Sequence, residues 1–177
     1  SLIPFPVDRL FNTELSKFRV IILQNFSLHR FLRPGYQKNL VNFVKNGGSL
    51  LFIGGPNALK PEDLKNSPLN EIIPLKPREP IPPSPQNYIY QTSFRKDQTF
   101  NIEYASPPKN QRALANVYDT WEVLAPHLRK FSGGSGLHHL DGQLQSKLAT
   151  PLLYAKTKSG EQLPLAVASY PGKGRAI

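Results

Sequence analysis

Residues 18 to 53 decide the fold, and they read FRVIILQNFSLHRFLRPGYQKNLVNFVKNGGSLLFI. The stretch opens with a nearly continuous β-branched and aliphatic run from Phe18 to Leu23. Such a run is typical of a strand that is covered on both faces, as strands of parallel sheets are. A second run of the same character extends from Ser49 to Ile53. The stretch therefore predicts two buried strands with one helix between them.

The helix is predicted from residue 34 to residue 46. Pro34 suits the first helical turn, and Gly47-Gly48 supplies the left-handed residue with which helices often end. Its apolar positions recur at intervals of three and four residues, at Tyr36, Leu40, Phe43 and Val44. A strand, a helix and a strand in this order predict a right-handed βαβ crossover. Two strands need further neighbours, and residues 2 to 7 are one candidate.

The remaining chain is richer in turns and antiparallel signals. Six prolines between residues 74 and 85 predict an extended surface segment, either a stiff crossing loop or a docking site for a proline-recognising partner. Residues 88 to 92 and 99 to 104 predict an antiparallel hairpin around the polar residues 95 to 98. Residues 151 to 156 and 163 to 170 predict another strand pair, and residues 175 to 177 begin a further strand. We expect one α/β domain over residues 1 to 177.

Composition excludes several classes of function. The chain has 177 residues without Cys or Met. A cysteine nucleophile, a disulfide and a thiolate metal site are therefore excluded, and the missing Met predicts a piece of a longer protein. The formal net charge is +10, but the basic residues form no single stripe, which argues against nucleic acid as a partner. The apolar runs are too short to span a membrane.

Motifs for other chemistries are incomplete. No G-x-S-x-G elbow of a serine hydrolase is present, and Gly172-Lys173-Gly174 lacks the rest of a phosphate-binding loop and predicts a tight turn. His138, His139 and Asp141 offer metal ligands, but adjacent histidines point apart on a regular backbone. We therefore predict no metal, no cofactor and no catalytic residue.

An enzyme that works without cysteine is the alternative. It would use His138, His139 or Asp141 together with a carboxylate such as Glu122 or Asp119. A general base of this kind must reach its substrate within hydrogen-bonding distance.

The strongest candidate for binding is the carboxyl end of the two predicted strands. Asn25 follows the first strand, and Gly54, Gly55, Pro56 and Asn57 follow the second. Open α/β sheets place their ligands at this end of the strands, although glycines there also serve sharp turns. These five residues are the predicted ligand-binding residues, for a small molecule or a protein whose identity the sequence does not indicate.

The chain resembles a known family in residues 10 to 75 and 150 to 177. The order of the run from Phe18 to Phe26, the segment from Asn42 to Gly55, and Tyr170-Pro171-Gly172-Lys173-Gly174-Arg175 is similar to class I glutamine-amidotransferase-like domains of large bacterial membrane proteins. Those proteins often also carry a von Willebrand factor A domain. Gly54-Gly55-Pro56 looks like the oxyanion loop of that superfamily.

The resemblance implies a flavodoxin-like three-layer sandwich with a mainly parallel sheet, here truncated at both ends and missing an upstream strand and helix. It also implies a membrane-anchored bacterial parent protein, with this domain in a periplasmic or extracytoplasmic location. A cytoplasmic location is the alternative. Because the nucleophilic cysteine is absent, we expect a non-catalytic binding or scaffold domain. The alternative is a cysteine-independent hydrolase or a sugar-metabolism enzyme of the trehalose-utilisation type, in which a histidine normally stands where this chain has Gly54-Gly55.

Overall fold

The computed structural model describes residues 6 to 54, 58, 61 to 64, 66 to 76, 92 to 104, 135 to 140, 143 to 145 and 147 to 177. The chain divides into two compact units. One unit comprises Ser1–Thr92, Asp141–Thr150 and Val167–Ile177, and the other comprises Ser93–Leu140 and Pro151–Ala166. The single domain over residues 1 to 177 stays a prediction.

The described elements alternate between helix and strand in the first half of the chain. Helix α1 (Val7–Arg9) continues through a π turn (Leu10–Glu14) and a 3₁₀ turn (Leu15–Lys17) to strand β1 (Val20–Gln24). Helices α2 (Leu28–Phe31) and α3 (Pro34–Lys45) lead to strand β2 (Ser49–Ile53). Helix α4 (Pro61–Leu64) and a 3₁₀ turn (Pro68–Glu71) lead to strand β3 (Leu75–Lys76).

Strands dominate the second half. They are β4 (Thr92–Tyr104), β5 (Ser135–Leu140), β6 (Gln143–Leu144), β7 (Thr150–Thr157), β8 (Gln162–Ala168) and β9 (Arg175–Ala176). A four-stranded sheet has the order β5-β4-β7-β8, and β3 pairs antiparallel with β6. The strand pair predicted over residues 151 to 156 and 163 to 170 is confirmed as β7 and β8.

The predicted parallel pair is confirmed. Strands β1 and β2 are parallel, in register from Val20 opposite Ser49 to Gln24 opposite Ile53, with α3 between them in the chain. Strand β9 adds to the other side of β2, also parallel. The protein is therefore a mixed α/β structure with a parallel three-stranded sheet and a separate antiparallel sheet. The strand predicted over residues 2 to 7 is wrong at Val7, which begins α1, and residues 2 to 5 lie outside the described residues. The third strand of the described sheet is β9, from the far end of the sequence.

Helix α3 covers one face of the parallel sheet. Its buried Leu40 and Val44 share a core with Ile21, Leu23 and Leu50 of the strands. Each such side chain contributes on the order of 1.5–3 kcal/mol through burial. Helix α3 spans 12 residues, and within the described part of the chain no helix is both long and apolar enough to cross a membrane.

The other face of β1 is not covered as predicted. Ile21 and Leu23 are buried, whereas Val20 is 49% exposed and Ile22 58% exposed. The expectation of a strand covered on both faces is wrong for β1, because α3 packs only on the face that carries Ile21 and Leu23. Exposed valine and isoleucine at successive outward positions leave an apolar strip on the surface.

The end of α3 follows the predicted glycine signal. Gly47 has a φ of +115°, its N–H donates to the Val44 carbonyl at 2.9 Å, and the Gly48 N–H donates to the Phe43 carbonyl at 2.9 Å. This is the Schellman arrangement, in which a left-handed residue satisfies the last carbonyls of a helix. The Phe43 ring lies directly over Gly48, where a Cβ would come within 2.3 Å of the ring.

The glycine-rich turn before β9 packs against this helix end. The Lys173 N–H donates to the Lys45 carbonyl at 2.9 Å, and Gly172 has a φ of +66°. A Cβ on Gly174 would lie 2.0 Å from the Val44 oxygen and 2.3 Å from the Gly48 oxygen. The tight turn predicted for Gly172-Lys173-Gly174 is confirmed, and its glycines permit close approach to backbone.

The predicted antiparallel hairpin is wrong at its turn. Residues 95 to 98 lie inside the single long strand β4, and residues 88 to 91 lie outside the described residues. Strand β4 instead pairs antiparallel with β7, with Phe100 opposite Thr157. Among the polar residues at 95 to 98, Asp97 is the one type that favours a turn, and Gly, Pro and Asn are absent.

The proline-rich segment is described only at its start. Pro74 and Leu75 are buried, and the Pro74 carbonyl accepts a hydrogen bond from the Gln145 N–H at 3.0 Å. These two residues are therefore not the exposed segment that was predicted. Residues 77 to 85 lie outside the described residues, and their surface position stays a prediction.

Substitution of Gly174 by Ala tests the close contact between the turn and α3. We expect Gly174→Ala to lower the free energy of unfolding by about 1–3 kcal/mol or more, because the new methyl group overlaps two carbonyl oxygens. Gly35→Ala is the matched control, since nothing lies within 4 Å of a Cβ there and alanine favours the helix. Urea denaturation followed by circular dichroism measures both. Equal stabilities of the two variants would contradict the packing described.

Candidate functional site

The carboxyl ends of β1 and β2 lie side by side at one edge of the parallel sheet. The Asn25 N–H donates to the Ile53 carbonyl at 2.9 Å, so the residue after β1 is tied to the last residue of β2. Gly54 follows Ile53 directly, and both Asn25 and Gly54 are exposed. The predicted juxtaposition of these two residues is therefore present. Gly55, Pro56 and Asn57 lie outside the described residues, and their part in the site stays a prediction.

Asn25 turns the chain sharply at this edge. Its φ is +47°, in the left-handed region that asparagine tolerates better than most residues. The turn ends β1 and directs the following residues into α2. An exposed amide side chain at such a turn can both donate and accept hydrogen bonds, and both functions suit a polar ligand.

Two aromatic rings and a guanidinium group lie on the residues that follow. The rings of Phe26 and Phe31 have centroids 5.2 Å apart, and Arg30 lies with its guanidinium carbon 5.4 Å from the Phe31 centroid. Phe31 is 45% exposed, so part of its side chain is accessible to solvent. Nothing in the sequence singles out these residues, because a short run of Leu, His, Arg and Phe has no pattern that distinguishes it from a surface helix.

A buried carboxylate holds α2 in place. Asp63, at 2% exposure, accepts a hydrogen bond from the His29 N–H at 2.5 Å and faces the Ser27 hydroxyl at 3.4 Å. Buried carboxylates are costly unless hydrogen-bonded, and the backbone N–H of a helix start is a favourable partner. Asp63 comes from α4, so this contact fixes the segment after Asn25 across a sequence separation of 34 residues.

A second buried polar group joins α3 to the turn before β3. The Gln37 side chain donates to the Leu32 carbonyl at 2.9 Å and accepts from the Ser67 hydroxyl at 2.7 Å. The Ser67 oxygen in turn accepts from the Leu69 N–H at 3.1 Å. These bonds use both ends of the Gln37 amide, so Gln37 has a structural role.

The edge therefore offers recognition groups. Across the described ranges of the chain, no three His, Asp or Glu side chains gather as metal ligands would. The side chains of His138 and His139 on β5 are not described, and Asp119, Glu122 and Asp141 lie outside the described residues. The cysteine-independent enzyme stays a prediction. Asn25, Phe31 and Arg30 can supply an amide, a ring face and a positive charge.

Removal of the Asp63 carboxylate tests its support of α2. We expect Asp63→Ala to lower the free energy of unfolding by about 1–3 kcal/mol, because the His29 N–H and the Ser27 hydroxyl lose their acceptor. Asp63→Asn retains an oxygen acceptor and should lose less. Chemical denaturation gives the stabilities, and the His29 amide resonance reports the local bond.

Glu71→Ala is the control for loss of a carboxylate elsewhere. Glu71 pairs with Lys45 at an exposed position, where an ion pair contributes at most about 1 kcal/mol. If Asp63→Ala costs no more than Glu71→Ala, Asp63 does not have the structural role described.

Two solved structures are similar to the whole of this chain. Cytoplasmic protein STM3548 from Salmonella typhimurium has a TM-score of 0.56 and 19% sequence identity, covering 99% of this chain and 63% of its own. Cytoplasmic protein STM1381 from Salmonella typhimurium LT2 has a TM-score of 0.56 and 16% identity, covering 98% of this chain and 63% of its own. No protein-family model and no curated protein matches the sequence. The chain thus shares its α/β fold with these two proteins and spans 63% of their length.

Proposed function

We propose that the chain is a non-catalytic recognition domain of glutamine-amidotransferase-like type that binds a ligand at the carboxyl edge of β1 and β2. The observation that carries the proposal is the adjacency of Asn25 and Gly54 at the ends of two parallel strands. Ligands of open α/β sheets bind outside the carboxyl ends of the strands. The flavodoxin-like three-layer sandwich belongs to the same proposal, and the parallel βαβ unit supports it.

Binding, rather than acyl transfer, is favoured by the chemistry of the residues present. The chain contains no Cys, so the thiolate that attacks glutamine in amidotransferases has no counterpart in it. Backbone N–H groups can stabilise an oxyanion, but they do not form a covalent intermediate. An edge of this kind, without a nucleophile, can still hold a ligand by hydrogen bonds.

The groups beside Asn25 favour a ligand with a carboxylate or phosphate and an apolar face. Arg30 would pair with the anionic group, because its guanidinium forms two parallel hydrogen bonds with such oxygens. The exposed Phe31 ring would contact the apolar face. Glutamine, anionic sugars and peptide-bearing cell-wall fragments all present an acidic group, and they are the probes that the proposal selects.

The cellular location is part of the proposal. The membrane-anchored parent and the extracytoplasmic location follow from the resemblance alone. Both structural neighbours are described as cytoplasmic proteins. This similarity favours a cytoplasmic location for the chain. Ligand recognition at the carboxyl edge does not require that the protein leaves the cytoplasm.

Chemical-shift titration of the isotopically labelled chain tests the proposal. We expect a carboxylate-bearing probe from these classes to shift the Asn25 and Gly54 amide resonances first and to saturate. Glutamine must remain intact throughout. Saturating shifts confined to residues 74 to 85 would contradict the proposal and favour a docking loop. Turnover of glutamine would also contradict it and would favour an enzyme.

Two variants with matched controls sharpen the result. Arg30→Gln should weaken binding about tenfold through loss of a charge-assisted pair, whereas Arg33→Gln removes the same charge three residues away and should leave affinity unchanged. In Asn25→Gly the new glycine adopts the positive φ of this position without strain, but the side-chain amide is removed. A loss of affinity in this variant therefore reports a lost contact between the amide and the ligand. Equal effects of Arg30→Gln and Arg33→Gln would count against an Arg30 contact.

A further inference from the structure

Strand β1 lies at the edge of the parallel sheet in the described part of the chain. The strand order is β1-β2-β9, so β2 occupies one side of β1 only. An edge strand presents a row of N–H and C=O groups that another extended segment can pair with. Natural edge strands are usually blunted by lysine, proline or a bulge, and β1, with the sequence VIILQ, contains neither lysine nor proline.

The hydrogen-bond pattern shows which backbone groups face the open side. The Ser49 N–H donates to the Arg19 carbonyl, and the Asn25 N–H donates to the Ile53 carbonyl, each at 2.9 Å. Odd-numbered residues of β1 therefore face β2. Since consecutive residues of a strand alternate, the N–H and C=O groups of Val20, Ile22 and Gln24 point away from β2. Three successive pairing positions thus face the edge.

Apolar side chains accompany these groups. Val20 is 49% exposed and Ile22 is 58% exposed, and Phe18 just before the strand is 44% exposed. Large exposed apolar residues that are contiguous on the surface mark interaction sites more often than single ones do. Within the described part of the chain, β1 therefore combines backbone groups that face an open edge with exposed apolar side chains.

A groove runs beside the strand. A cavity of about 630 Å³ is lined by all five residues of β1 and, on its other wall, by Leu10, Phe11 and Glu14 of the π turn. A groove between a strand edge and a helical wall is the setting in which extended peptides add to a sheet, with main-chain hydrogen bonds giving affinity and alternate side chains filling pockets. Its apolar wall suits apolar side chains at every second position.

Cations lie next to the residues that line the groove, and they outnumber its single lining carboxylate, Glu14. Glu14 is paired with Arg9 at 2.6 Å and with Lys17 at 3.2 Å. The hydrogen bond from Arg9, followed by that from Lys17, lowers the pKa of Glu14, which keeps this carboxylate charged and engaged with its two partners. Arg19 adds a third cation at an exposed position next to β1. A second copy of this chain would bring another +10 of formal charge, so self-pairing is disfavoured.

We propose that the open edge of β1 and the groove beside it bind an extended segment of a partner protein, apolar at alternate positions and acidic at its flanks, by β-strand addition. This site is distinct from the carboxyl edge, because it follows the length of β1 and uses Val20, Ile22 and Gln24. It goes beyond the proposed ligand recognition and does not depend on it.

Peptide titration with amide hydrogen exchange tests the proposal. The probe is a ten-residue peptide that alternates valine and threonine between two aspartates at each end. The controls are the same core between two lysines at each end, and the aspartate peptide with proline at its centre. We expect exchange at Val20, Ile22 and Gln24 to slow by about tenfold or more with the first peptide, because their N–H groups become hydrogen-bonded. The proline peptide should give no protection.

Two pairs of variants assign the contact. Ile22→Pro removes an N–H that faces the edge while leaving the bonds to β2, and it should reduce affinity about tenfold, whereas Ile22→Thr retains the N–H and should lose less. Arg19→Glu should weaken the acidic peptide about fivefold at low salt, an effect that disappears at high salt, whereas Lys38→Glu, the same charge change on α3, should not. The proline-containing peptide keeps the test decisive if Ile22→Pro does not fold.

Several outcomes would overturn the proposal. They are equal binding of the acidic and basic peptides, protection that is absent at Val20, Ile22 and Gln24, and protection that appears without peptide as the chain concentration rises, which would identify a second copy. Protection of the three amides in the intact gene product without added peptide would also overturn it, because a strand of the same polypeptide would then occupy the edge.

Discussion

The structure depends on a contact between backbone and backbone at the end of α3. Gly174 approaches the Val44 and Gly48 carbonyls so closely that no side chain fits between them. This approach brings the chain into register with β2, where the Arg175 N–H donates to the Gly48 carbonyl at 3.2 Å and the Ile177 N–H to the Leu50 carbonyl at 2.9 Å. Strand β2 is central only because this contact positions β9. Formation of the three-stranded parallel sheet therefore requires a residue without a Cβ at Gly174.

Local signals were enough to predict the βαβ unit. Both strands are dense in β-branched and aliphatic residues, the helix has regular apolar spacing, and Gly47 marks its end, so each signal lies within a few residues of the structure it predicts. The third strand was not placed beside β2, since nothing in Arg175 or Ala176 indicates a partner that far back in the sequence. The hairpin failed for a different reason. Polarity at residues 95 to 98 is typical of a turn, but these residues lie within β4, whose later part pairs with the distant strand β7.

The candidate site was predictable to the same extent. The rule that ligands meet the carboxyl ends of parallel strands brought Asn25 and Gly54 together correctly, because it needs only strand direction. Asp63 could not be found this way, since burial of a carboxylate and its bond to the His29 N–H depend on how α4 packs on α2. The solvent exposure of Val20 and Ile22 could not be predicted for a related reason. A continuous apolar run does not reveal which of its faces another element covers.

The distance in sequence between β2 and β9 has a consequence for biosynthesis. Ser49 and Arg175, which also share a side-chain hydrogen bond, are 126 residues apart. On a ribosome, β1, α3 and β2 emerge long before β9, so the growing chain carries β1 and β2 as a two-stranded parallel ribbon without β9 throughout translation of the intervening residues. Such ribbons are marginal by themselves, and contacts this remote slow folding. Pairing of β9 with β2 is therefore a late step, and chaperone protection during elongation would matter most for β1 and β2.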